Sequence, residues 1–82
     1  MEFVRGKVLV SAAGHDKGEL LVVAGFEGKM VLVCDGKGRG LEGPKLKNPK
    51  HLEATKTVLD GDSMATNRKI RKMLNKLTAQ EG

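Results

Sequence analysis

The sequence predicts a mainly β fold: a small five-stranded barrel followed by a C-terminal amphipathic α-helix. Three observations predict it. Short valine-rich runs recur along the first two thirds of the chain, glycine-bearing turns separate them, and the apolar period then lengthens from two residues to that of a helix. With 82 residues there is room for one small core, burying about 60–65% of the surface that the unfolded chain exposes.

The elements follow in order. "FVRGKVLVSA" at 3–12 sets Val4, Val8 and Val10 against Arg5 and Lys7, the alternation of a half-buried strand. "ELLVVAGF" at 19–26 is almost continuously apolar, valine-rich and too short for a helix, which suits a central strand. Glu27-Gly28-Lys29 reads as a tight turn into a third strand, "MVLVC" at 30–34. Asp35-Gly36 then signals a hairpin, because type I′ turns need positive φ and this dipeptide tolerates it. A short strand is expected around Arg39–Leu41, then a basic loop broken by Pro44 and Pro49, then a last strand in "HLEATKTV" at 51–58. Short strands joined by tight turns favour a closed or nearly closed barrel over residues 1–60, of the SH3-like kind. Residues 61–82 read as a linker and a helix at 66–79 packed on the barrel, its N-terminus capped by Thr66 or Ser63. Met64, Ile70, Met73, Leu74 and Leu77 mark the helix's inner face. Arg68, Arg71, Lys72, Asn75 and Lys76 cover the outer face, read as solvated.

Composition narrows the function. Hydrophobic residues make up 39% and charged residues 30% of the chain, the balance of a folded domain rather than a disordered tail. No apolar run approaches the roughly 18 residues a membrane span requires. The opening "MEFVRGKVLV" lacks a signal-peptide layout, so the expected location is cytoplasmic, with no membrane partner. A single cysteine, Cys34, leaves no internal disulfide and no cysteine-rich zinc module, and reads as a small buried thiol. Catalysis has little to stand on. His15 and His51 are the only histidines, His15 falls in a loop and Cys34 in a strand, and the glycines spell neither a P-loop nor a dinucleotide fingerprint. "LDGDS" at 59–63 begins like a calcium loop without the remaining ligands. The expectation is a non-enzymatic monomer without cofactor or metal.

The net charge of +5 is uneven. Residues 1–28 hold three bases and four acids, residues 29–56 hold seven and three, and residues 57–82 hold five and three. Such a gradient points to one face meant for an anionic partner. With no Trp or Tyr, and with Phe3 and Phe26 both assigned to strands, a single-strand stacking platform is not expected. What remains is recognition of phosphates and shape by Lys17, Lys37, Arg39, Lys45, Lys47 and Lys50. Neighbouring glycines let the backbone approach a phosphate and aim N–H groups at it.

"RGKVLVSAAGHDKGELLVV" resembles a KOW motif: a valine-rich strand, a loop ending in Lys-Gly, and a second apolar strand, with Gly18 at the motif's glycine. The continuation "VLVCDGKGRGLEGPKLKNPKHLEATKTVLD" is similar to small bacterial KOW-domain RNA-binding proteins. These are related to large-subunit ribosomal proteins fourteen-e, six-e and twenty-seven-e of archaea and eukaryotes. The resemblance spans residues 3–60. It implies an SH3-like barrel that binds RNA, ribosomal RNA of the large subunit above all, as a ribosome-associated or ribosomal-protein-like factor in translation. It also implies that Gly14, His15, Asp16, Lys17 and Gly18 touch RNA, while Lys37, Arg39, Lys45, Lys47 and Lys50 form a second contact surface on grounds of charge. The chain lacks the long basic extensions of the cytosolic ribosomal relatives, so an accessory RNA binder fits as well as a permanent ribosomal component. On this reading, charge reversal at Lys45, Lys47 and Lys50 weakens RNA binding without unfolding the barrel. The alternative, a protein-interaction KOW module of the transcription or translation machinery, makes Leu41 or Leu46 matter more.

Overall fold

A computed structural model describes residues 3–15 and 17–81. Five antiparallel strands, β1 (Lys7–Ser11), β2 (Leu20–Glu27), β3 (Met30–Cys34), β4 (Lys45–Lys47) and β5 (Leu52–Val58), form one sheet in the order β4-β3-β2-β1-β5. A single 3₁₀ turn at Pro49–His51 leads into β5, and one helix, α1 (Asn67–Glu81), follows the sheet. The chain is therefore mainly β with one C-terminal helix.

The sheet curls without closing. β4 and β5 are its edges and do not pair with each other. Their ends meet near one corner, where Ala12 N–H donates to the His51 carbonyl at 2.8 Å and the Lys47 ammonium reaches Ser11 Oγ at 3.0 Å. Irregular register between Val23 and Gly25 in β2, and between Lys7 and Leu9 in β1, supplies local bending of the kind a bulge produces.

Both faces of this sheet are covered, which explains why β2 is continuously apolar rather than alternating. Leu9, Leu21, Val23, Val31, Val33 and Leu52 gather on the concave side, with Phe3 and Ala54 against them. Val8, Val22 and Cys34 face the other way and bury Leu59, Met64, Ile70 and Leu74. The helix is thus the lid of the second cluster. Thr66 caps it, its Oγ1 accepting from Lys69 N–H at 3.2 Å. Met73 and Leu77 pack at the margin of this cluster, while Met64 joins it from the turn before the helix.

One expected strand is absent. Residues 39–41 form no strand, and the fourth strand lies further on, at Lys45–Lys47. Asp35-Gly36 accordingly opens a long loop instead of closing a two-residue hairpin. The cause is local satisfaction of the backbone. Asp35 Oδ1 accepts from Lys37 N–H and Arg39 N–H, and the Asp35 and Gly36 N–H groups both donate to the Arg39 carbonyl, all at 2.9 Å. Groups bonded within the loop have nothing left to offer a ladder.

Candidate nucleic-acid interface

The loop between β1 and β2 is a folded-over turn with its own hydrogen bonds. Gly18 N–H donates to the Ser11 carbonyl at 2.7 Å, Ser11 N–H to the Glu19 carbonyl at 3.0 Å, and Lys17 N–H to the Gly14 carbonyl at 3.2 Å. Gly18 sits at φ +90°, yet a Cβ there meets nothing within 4 Å, so its requirement is conformational rather than steric. Gly14, His15, Lys17 and Gly18 are exposed. Asp16, assigned to RNA contact by the resemblance, lies outside the described residues.

Lys47 departs from the expected role. It is 8% exposed, and its ammonium donates to Ser11 Oγ at 3.0 Å and to the Ala13 carbonyl at 3.3 Å. Strand alternation accounts for it: Lys47 pairs with Val31, whose side chain belongs to the concave core, so Lys47 points inward with it. The residue ties β4 to the β1–β2 loop and is not a surface cation. Charge reversal there buries a carboxylate beside a carbonyl, so the expectation that all three reversals spare the fold does not extend to Lys47.

The loop after β3 is held from a distance. Asn67, the first residue of α1, accepts from Leu41 N–H through Oδ1 at 2.7 Å and donates through Nδ2 to the Glu42 carboxylate at 3.1 and 3.2 Å. Gly36, at φ +76°, lies so close to the helix that a Cβ would stand 2.3 Å from the Asn67 carbonyl oxygen and 2.9 Å from Arg71 N. This loop is stapled to the start of the helix, which fixes where Lys37 and Arg39 emerge.

Together the two loops line a pair of neighbouring clefts that share Glu19 and Asp35. One, of about 200 Å³, is bordered by His15, Arg39 and Lys45. The other, of about 310 Å³, is bordered by Gly18, Lys37 and Arg71. Segments far apart in sequence thus bring cations to one surface. Lys50 is exposed on the 3₁₀ turn, where Asn48 Oδ1 accepts its N–H at 3.0 Å; neither Lys50 nor Lys17 borders the two clefts. Arg71, on the helix face that the sequence reads as solvated, borders the larger cleft. The signal for its position is the polar stripe Asn67, Arg71, Asn75 and Thr78, spaced four, four and three residues apart along one edge of the helix. Asn75 and Thr78 border the same cleft as Arg71.

Charge is what Lys37, Arg39, Lys45 and Arg71 bring to these clefts. Cys34 is fully buried, and burial pushes its thiol up to about 11, with the Asp35 charge adding to the shift, so it is a neutral thiol near pH 7. Among the described residues, no three His, Cys, Asp or Glu side chains come together as metal ligands do, and no helix is long and apolar enough to cross a membrane. Neither a known protein-family model nor a curated protein sequence matches the chain.

Proposed function

We propose that this chain is a non-catalytic RNA-binding protein built on an SH3-like, KOW-type barrel. Its target is structured RNA, ribosomal RNA of the large subunit first, held through phosphates and backbone shape. The observation that supports this reading is the convergence of His15, Lys37, Arg39, Lys45 and Arg71 on two adjoining clefts. Phosphate contacts from such a set give affinity and orientation without demanding stacked bases. The curled five-stranded sheet, with the Gly18 loop between its first two strands, fits the resemblance in "RGKVLVSAAGHDKGELLVV".

A second reading, a protein-docking module, draws on Leu46, 41% exposed on edge strand β4. Leu41 gives it no support, since that side chain packs against the helix-side core.

The two readings separate in a lysate gradient run at low salt and again after a high-salt wash. The RNA reading expects comigration with the large ribosomal subunit that high salt removes, and loss of low-salt comigration on reversing Lys37, Arg39 and Lys45. A protein at the top of both gradients, or reversals without effect, turns the reading toward protein docking.

A further inference from the structure

The end of the sheet away from the β1–β2 loop carries a feature of different chemistry. Phe26, near the end of β2, is 53% exposed, so its place in a strand does not remove it from solvent. Phe3 lies before β1 rather than within a strand, half-buried against the concave core. Together with Val31, Pro49 and Lys29 they line an open depression of about 350 Å³. Unlike the two clefts of the basic surface, this lining contains no acid among the described residues. Glu27 follows Phe26 in the strand, so alternation turns it to the opposite face. Lys29 is exposed on the β2–β3 turn and has no hydrogen-bond or ion-pair partner among the described residues.

An accessible aromatic face beside an unpaired ammonium suits a ligand that is flat and apolar at one end and anionic at the other. An unpaired nucleotide has that build: the base lies on a ring and the phosphate meets the cation. A purely apolar peptide would leave the lysine unused, whereas a paired base would have no face to offer. We propose that Phe26 and Lys29 form a stacking site for one unpaired nucleotide, distinct from the phosphate-binding clefts; the inference rests on the RNA-binding reading. The protein would then prefer RNA in which a helix adjoins a bulge or loop, the clefts taking the helix backbone and Phe26 the unstacked base.

The test compares two fluorescently labelled RNAs, a fully paired duplex and the same duplex carrying an unpaired loop, against the full chain and its Phe26→Ala, Phe26→Leu and Lys29→Gln variants. Phe26→Ala is expected to weaken the looped RNA by roughly 5- to 150-fold, the range for loss of one base–aromatic stack, and to leave the duplex unchanged. Phe26→Leu keeps the apolar bulk without the π face and should recover only part of the loss, while Lys29→Gln weakens the looped RNA and lowers its salt dependence. Equal effects of Phe26→Ala on both RNAs, full recovery with Phe26→Leu, or a dimer that dissociates in Phe26→Ala on sedimentation would overturn the stacking site. Binding of the duplex with no gain from the loop overturns this site alone; binding of neither RNA overturns the RNA-binding reading with it.

Discussion

The β1–β2 loop and the loop after β3 carry many of the same residue types, glycine beside lysine, arginine or histidine, yet they are held differently. The first is short, closes on itself through Ser11 and Gly18, and is anchored from below by the buried Lys47. The second is longer, makes its own tight turn on Asp35, and is fastened by Asn67 at the head of the helix. Gly18 stands in open space while Gly36 is pressed against backbone, although both adopt positive φ. A glycine-rich basic loop is therefore not floppy by composition. Its shape is set by whichever polar group, near or remote in sequence, takes up its backbone hydrogen bonds.

Of the glycine pair, Gly36 gives the largest effect of all. Gly36→Ala combines left-handed strain with a clash against the Asn67 carbonyl and Arg71 N, and should cost about 2–4 kcal/mol. Gly18→Ala carries the strain alone and should cost about 1–2 kcal/mol. Urea unfolding checks both, and equal losses would erase the distinction between the loops.

Lys47→Ala comes next. It strips the buried donor from Ser11 Oγ and the Ala13 carbonyl, at about 1–3 kcal/mol. Faster hydrogen exchange should follow at Gly18, whose N–H closes the loop, and not at Lys37 or Arg39. Asn67→Ala is the mirror experiment. Losing its bonds to Leu41 and Glu42 should cost about 1–2 kcal/mol and speed exchange at Leu41 while leaving Gly18 protected. Crossed patterns, each variant loosening the other loop, would show that the anchors are not independent.

Cys34 gives the smallest effect near neutral pH. Its folded pKa lies above that of the unfolded chain, so the stabilisation from keeping it neutral is complete below the unfolded value and is lost as pH rises from about 9 toward 11. A thiol reagent at pH 8 should react with the unfolded chain and spare the native one. Rapid native labelling would mean that the helix opens readily over the sheet.

Periodicity explains what was legible in the sequence. The valine runs place β1, β2, β3 and β5, and the spacing of Ile70, Leu74 and Leu77 gives the helix. Long-range polar bonds explain what was not. Around "GKGRGLEG" the Asp35 carboxylate and the Arg39 carbonyl take up nearby N–H groups while the distant Asn67 takes Leu41 N–H, and nothing local announces that second bond, so a stapled loop stands where the pattern predicts a strand. Nothing distinguishes Lys47 from Lys45 except the register of β4 against β3, which turns one inward and lets the other border a cleft. Arg71 is legible as a helix residue but not as a neighbour of Lys37, because that proximity depends on how closely Gly36 approaches the helix.

Whether the loops present one phosphate-binding surface is decided by a salt titration of binding to a structured RNA. Each neutralised phosphate contributes about 0.7–0.9 to the slope of log affinity against log salt. The expected slope magnitude is roughly 4 or more, reduced by about one unit for each of Lys37→Gln, Arg39→Gln, Lys45→Gln and Arg71→Gln, and unchanged in Leu46→Ala. A slope near zero, or one that these four substitutions leave intact, would contradict a single phosphate-binding surface.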